Sequence, residues 1–321
     1  QRVLAANDDR LLQQGVLYPR DIRVGDAHHS LACDLVERHQ DVPMGDAWYG
    51  DQPRGQAWAR LQAELERHAD RVGKVILSSE LLFGQSERLA ANLADLADKL
   101  RGHEVRVVVY LRRQDEWYAS FYNQDVKGMR QWPHDAYKFY QSHQVFQLDY
   151  LSLLRCWAGA FGEPSILVRP FEQGQWPQRD IALDFCATTE IPALQAQGEE
   201  SNEGLGFHQL YFKQCLNKVG FEPADNEEVL GVLLALHPEE PARDTMFINE
   251  HVYRRYRDRW TEQNRRLEQE FLGGRQLVLE PLPERIRPDY YLVDRPTLGR
   301  LIHRLVAELE AGRHRQYRQL F

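Results

Sequence analysis

The sequence predicts an α/β protein in which a central parallel sheet is flanked by helices and the C-terminal half is rich in helix. Two apolar runs, at 74–79 and 105–111, have the composition of strands that are covered on both faces, as in a parallel sheet. A helical pattern at 86–100 separates them, with leucines every three or four residues and Gly102 after its end. A strand, a helix and a strand in this order predict a right-handed crossover and a parallel pair.

Three helices are predicted before the first of these strands from the spacing of their apolar residues. Residues 1–14 carry their apolar side chains on one face and are followed by Gly15, a residue suited to a helix C-terminus. The stretches 26–39 and 58–68 are amphipathic, and a loop punctuated by proline and glycine separates them. These helices supply apolar faces that would cover a sheet.

The chain after the second strand run is mostly helical in pattern. A helix follows Arg113, a third buried strand is predicted at 165–169, and further helices are predicted at 150–161, 204–218, 225–236, 247–271 and 296–311. We therefore predict a single domain over 1–321, with a cofactor-binding and catalytic core at 1–175 and a helical C-terminal part at 176–321.

The composition argues against several classes of protein. The chain has 321 residues, of which 43% are hydrophobic and 27% charged, and this is typical of a globular fold. The formal net charge of −8 argues against a general nucleic-acid-binding protein, and the sequence has no apolar run long enough to span a membrane. The four cysteines lie far apart without metal-ligand spacing, so we expect reduced thiols, a cytoplasmic protein and no metal site.

Polar residues stand where the two strand runs end. Glu80 follows the first run, Arg112 follows the second, and Ser120 comes eight residues later. Open α/β sheets bind ligands at the carboxyl ends of their strands, and parallel pairing would place Glu80 and Arg112 at the same end. An arginine fork with a serine hydroxyl suits a phosphate, and a desolvated carboxylate can act as a general base. The alternatives are that Glu80 caps the following loop or pairs with a cation, and that Arg112 is a surface arginine.

Arg112, Ser120 and Tyr122, at the exit of the VRVVVYL strand, resemble the 3′-phosphate-binding segment of sulfotransferases. The span DYLSLLRCWAGAFGEPSILVRPFE at 149–172 also resembles the bacterial members of that family. The resemblance runs from residue 1 to about residue 175 and more loosely to the end. It implies a P-loop NTPase-like sulfotransferase fold, 3′-phosphoadenosine-5′-phosphosulfate (PAPS) as donor, 3′,5′-adenosine bisphosphate as product and no metal.

The resemblance also implies roles for single residues. Arg112 and Ser120 would bind the 3′-phosphate, and Glu80 would be the catalytic base, since polysaccharide sulfotransferases use a glutamate and cytosolic ones a histidine. In that family, a histidine that precedes a helix like the one predicted at 26–39 lies near the cleft, so His29 is a further candidate for the site. The alternative is that His29 is a capping or surface residue. The acceptor would be a hydroxyl or amine of a small molecule or glycan. Trp132 belongs to an aromatic-rich segment that predicts either an acceptor-facing wall or a small core under a long loop.

The family pattern further implies residues upstream of Gln1. In bacterial sulfotransferases a loop of the type GTxKTGTTSLQ, with a phosphate cradle and a catalytic lysine, directly precedes the helix that residues 1–14 resemble. We therefore expect a strand and this loop before Gln1, and a first helix whose N-terminus points at the cleft between Glu80 and Arg112. Two other functions stay open. One is a P-loop kinase, whose upstream loop would read GxxxxGK[ST], and the other is a non-catalytic descendant that binds nucleotide.

Overall fold

The computed structural model describes most of the chain. The described residues are 1–40, 44–83, 86–128, 130–142, 148–195, 204–235 and 250–278, with the short stretches 295–296, 299–300, 302–303 and 306–307. The chain divides into two compact units. The first comprises Gln1–Leu111, Phe146–Glu199 and Gln263–Leu279, and the second comprises Arg112–Val145, Glu200–Glu262 and Glu280–Phe321. The single domain over 1–321 stays a prediction.

The regular elements are mostly helices. In chain order they are α1 (Arg2–Ala6), α2 (Asp8–Gln13), β1 (Val16–Leu17), α3 (His29–Gln40), α4 (Ala57–Arg67), β2 (Lys74–Val75), α5 (Ser86–Lys99), β3 (Val107–Leu111), α6 (Gln114–Lys127), α7 (Ala136–Ser142), α8 (Tyr150–Phe161), β4 (Ile166–Pro170), α9 (Ile181–Thr189), α10 (Phe207–Leu216), α11 (Pro223–Ala235) and α12 (Glu250–Phe271). The described helices include none with the length and apolar character needed to cross a bilayer. Most of the helix predicted at 296–311 lies outside the described residues.

The strands form two separate parallel pairs, so the predicted pairing of 74–79 with 105–111 is wrong. Within the described chain, β1 pairs with β2, and β3 pairs with β4 in the register from Val107–Ile166 to Leu111–Pro170. The backbone after β2 stays with β1, because the Ile76 N–H donates to the Leu17 carbonyl at 2.9 Å. A central flanked sheet is therefore not what these strands form, and strand pairing gives no basis for placing Glu80 and Arg112 at one end of a sheet.

The first helical stretch is broken at Asn7, where one helix was predicted. Asn7 has φ −110° and ψ 10° and separates α1 from α2. Its side chain pairs with the backbone of Gln195, donating to the carbonyl at 3.1 Å and accepting from the N–H at 3.0 Å. Gly15 follows α2 with a φ of +79°, a conformation that a residue with a side chain rarely adopts, so the prediction of a glycine at this helix end is confirmed.

The β3–β4 pair is attached to α9 through a buried carboxylate. Strand β3 is half-buried except at Leu111, so it is not covered on both faces as predicted. Tyr110 and Arg169 stand opposite each other in the register. Both donate to Asp184 Oδ2, at 2.7 and 2.9 Å, and Asp184 is only 1% exposed. A buried carboxylate with charge-assisted partners costs several kcal/mol to break, so this contact fixes the sheet on the helix.

Each unit has its own core. In the first unit, one cluster is formed by Leu4, Leu11, Val16, Tyr18, Ile76, Cys186 and Ile191. The helices α3, α5 and α8 pack together in the same unit. In the second unit, α6 packs against α10, and the Asn123 amide pairs with both backbone groups of Leu205, at 2.8 and 3.2 Å. Lys213 of α10 is fully buried and donates to Asn217 Oδ1, and burial lowers its pKa to about 8.

Candidate functional site

The strand predicted at 74–79 is regular only at β2, and Glu80 follows it after the irregular segment 76–79. The chain is extended at Ser79, with φ −157° and ψ 135°, and a 3-10 helix begins at Glu80 and ends at Leu82. The Ser79 hydroxyl caps this turn by accepting from the Leu81 N–H at 3.2 Å. The Glu80 side chain is 71% exposed. Its carboxylate is therefore accessible to a ligand and is not desolvated, in contrast to the prediction from the sequence.

His29 lies beside Glu80 and Ser79. It is the first residue of α3, and its Nδ1 is 2.9 Å from Ser79 Oγ while its Nε2 is 3.8 Å from Glu80 Oε2. Burial lowers the pKa of His29, and the nearby charge of Glu80 opposes that effect. Burial therefore favours the neutral form of the ring. The two residues that the sequence singled out separately in this unit meet in one cluster, which we call the His29–Ser79–Glu80 cluster.

His28 holds this cluster in place but has no ring nitrogen available for catalysis. Its Nδ1 accepts from the Ser78 N–H at 2.9 Å, so the proton of the neutral ring is on Nε2, which donates to the Pro19 carbonyl at 2.9 Å. The His28 N–H also donates to the Ser78 carbonyl at 2.8 Å. Burial, helped by the charge of Arg23, lowers the pKa of His28 to about 4. The sequence did not reveal this role, because it depends on contacts with a distant strand end.

The first residue of the chain contacts the same strand end. The Gln1 side-chain amide donates to Ser78 Oγ at 3.2 Å, directly before α1 begins at Arg2. This contact places the start of α1 beside the segment that precedes Glu80, and the predicted cleft between Glu80 and Arg112 stays a prediction.

In the second unit, Arg112 directly follows β3 and Ser120 lies in the second turn of α6. Arg112 is half-buried and Ser120 is exposed. The neighbouring Arg113 is engaged by carboxylates of the first turn of α6. It donates to both oxygens of Asp115, at 2.7 and 3.1 Å, and lies 3.2 Å from Glu116. Arg113 is therefore neutralised locally, whereas Arg112 is the arginine that the sequence singled out for a phosphate. Its role stays a prediction.

Trp132 packs in an aromatic cluster of the second unit. Its ring meets Phe139 edge to face with centroids 5.5 Å apart, and Phe139 is fully buried. The rings of Tyr118, Phe121 and Tyr122 also lie 5.1–6.0 Å from Phe139. This packing favours the small core over the acceptor-facing wall, while the residues at 143–147 of the same aromatic segment lie outside the described chain. A contact of Trp132 with an acceptor stays a prediction.

The comparisons with known proteins give one distant relative. Over 181 residues the chain is 29% identical to an uncharacterized protein of Archaeoglobus fulgidus, a match that covers 54% of this chain and 48% of that protein. The chain therefore spans about half the length of this relative. No protein-family model matches the chain. No solved structure matches it. These comparisons assign the chain to no family.

Proposed function

We propose that this protein transfers a sulfuryl group from PAPS to a hydroxyl or amine of an acceptor. The observation that carries the proposal is the His29–Ser79–Glu80 cluster after β2. There an exposed carboxylate lies 3.8 Å from a histidine whose pKa is lowered by burial. A general base for a hydroxyl must be within reach of the acceptor, and the exposed side chain of Glu80 is accessible. Arg112 and Ser120 resemble the 3′-phosphate-binding residues of sulfotransferases, and this resemblance is the reason for proposing PAPS as the donor.

In the proposed reaction, the acceptor oxygen forms a bond to sulfur while the bond from sulfur to the 5′-phosphate oxygen breaks. The electron pair of that bond leaves with 3′,5′-adenosine bisphosphate, and the acceptor proton passes to Glu80. Such a transfer needs positioning and charge stabilisation more than covalent help. A protonated His29 would form an ion pair with Glu80 and compete with the acceptor proton. The neutral ring that burial favours therefore leaves Glu80 available as the base.

Arg112 and Ser120 hold the 3′-phosphate in this proposal, and a lysine-bearing loop before Gln1 holds the 5′-phosphosulfate. A guanidinium donates to a phosphate through a planar fork, and the exposed Ser120 hydroxyl adds one further donor. Backbone N–H groups and the lysine of that loop would stabilise the charge that develops on the leaving phosphate.

Arg112→Ala is expected to weaken binding of 3′,5′-adenosine bisphosphate by about 10- to 100-fold, because it removes a charge-assisted fork to the 3′-phosphate. Ser120→Ala should weaken binding less, since it removes a single hydrogen bond from an uncharged donor. Isothermal titration calorimetry on the full-length protein measures both effects.

Two controls make this measurement specific for the 3′-phosphate. Adenosine 5′-monophosphate lacks that group, so Arg112→Ala should leave its affinity unchanged. Arg101→Ala removes an exposed arginine that pairs with Asp98 and should change neither affinity. Equal losses for both nucleotides, or an unchanged affinity for the bisphosphate, would remove the 3′-phosphate assignment. Preference for magnesium ATP over the bisphosphate would favour the kinase instead.

A further inference from the structure

An exposed indole ring lies next to the His29–Ser79–Glu80 cluster. Trp48 is 42% exposed, whereas the tryptophans at 58, 157 and 260 are buried. Its ring meets the His29 ring edge to face at 78°, with centroids 5.2 Å apart. The exposed part of the Trp48 ring is therefore apolar surface beside the cluster. Nothing in the sequence around Trp48 singled this residue out.

The loop that carries Trp48 is fixed by buried polar contacts. Its neighbour Tyr49 is only 2% exposed, and the Tyr49 hydroxyl donates to Asp34 Oδ1 at 3.1 Å. The same carboxylate accepts from the N–H groups of Gly55 and Ala57, at 2.7 and 2.9 Å. The indole ring is therefore attached to an ordered loop before any ligand binds, which lowers the entropic cost of using it as a contact.

The residues around Trp48 indicate the chemical class of ligand that would bind there. The Glu80 side chain is 71% exposed, and the exposed carboxylate of Asp46 forms an ion pair with Arg54, so the ring stands at an open polar surface. A sugar has an apolar C–H face that can lie on an aromatic ring and hydroxyl groups that hydrogen-bond to carboxylates. An acyl chain or a sterol would gain more from enclosed apolar walls. A charged anionic acceptor would be repelled by Glu80.

We propose that the acceptor is a neutral carbohydrate whose C–H face stacks on Trp48 and whose hydroxyl reaches the His29–Ser79–Glu80 cluster. The assignment of this carbohydrate as a sulfuryl acceptor rests on the proposed function. The contact with Trp48 needs no nucleotide, so it is measurable separately.

The test is binding of the full-length protein, without nucleotide, to an array of neutral glycans, followed by saturation-transfer NMR on the glycans that bind. We expect ring C–H protons of at least one neutral glycan to be saturated. Trp48→Ala should weaken that binding about tenfold, and Trp48→Phe, which keeps an aromatic face, should retain most of it. Val75→Ala removes exposed apolar surface elsewhere in the same unit and should have no effect.

The outcomes separate this inference from the proposed function. If no neutral glycan on the array binds, or if wild type and Trp48→Ala bind glycan equally, the carbohydrate inference is wrong. Trp48-dependent binding of octanol or p-nitrophenol in place of a glycan also overturns it. If the protein binds a glycan through Trp48 but does not bind 3′,5′-adenosine bisphosphate, the carbohydrate site is supported and the sulfotransferase assignment is wrong.

Discussion

Glu80→Gln is expected to lower turnover by about 10²–10⁴-fold, the range typical of a lost general base, while the affinity for 3′,5′-adenosine bisphosphate stays unchanged. Glutamine keeps the shape of the side chain but does not accept the acceptor proton. The side chain is 71% exposed, so the exchange leaves no buried charge and should not disturb the fold. Single-turnover rates with PAPS, together with calorimetry of the bisphosphate, measure the two quantities.

Glu104→Gln is the matched control, because Glu104 is also exposed and pairs only locally with Arg106 among the contacts that the structure describes. It should leave turnover unchanged. If Glu80→Gln loses binding and turnover equally, Glu80 is structural. If Glu80→Gln retains turnover and His29→Gln abolishes it, the base is His29. The pH dependence provides a further readout: a rate that depends on neutral His29 falls as that ring is protonated, below its ordinary pKa of 6.5.

Local patterns predicted the helices well and the strand pairing poorly. The helix predicted at 150–161 coincides with α8, and the helix predicted at 86–100 ends one residue beyond α5. Apolar periodicity and the residues at the helix ends determine such elements within a short window. The pairing of one strand with another is not determined within such a window. Strand β1 has only two residues, too few to give a pattern, yet it is the partner of β2.

The candidate site was predicted residue by residue but not as a cluster. Glu80 was selected because it follows a strand, and His29 because it precedes a helix. Their 3.8 Å contact depends on the backbone of His28 meeting that of Ser78, a contact between segments far apart in the chain. Trp48 was not selected, because nothing in its neighbours indicates that its loop folds toward α3. Contacts of this kind need the tertiary structure, since each segment alone is compatible with many arrangements.

His28 should make the protein lose stability as the pH falls from 6.5 to 4. In the unfolded chain a histidine takes up its proton near pH 6.5, whereas burial keeps the pKa of folded His28 at about 4. Between these values the unfolded state binds more protons, so acid favours unfolding, and stability rises with pH across this window. A pKa shift of this size corresponds to about 3 kcal/mol in the free energy of unfolding. Urea unfolding at pH values from 4.5 to 7 measures it.

His28→Asn keeps an acceptor for the Ser78 N–H and removes the titrating ring, so the advantage of wild type over the variant should be largest near pH 7 and shrink as the pH falls. His103→Asn, the same exchange at an exposed histidine, should leave the pH profile of unfolding as in wild type.

NMR of the His28 ring complements the unfolding measurement. In protein labelled with ¹⁵N-histidine, His28 should show the Nε2–H tautomer and stay neutral above pH 5, and protonation of Nδ1 at lower pH should speed hydrogen exchange of the Ser78 amide. If the His28 ring titrates near pH 6.5 in the folded protein, the ring is not buried with both nitrogens hydrogen-bonded. The support that His28 gives to the His29–Ser79–Glu80 cluster would then be wrong.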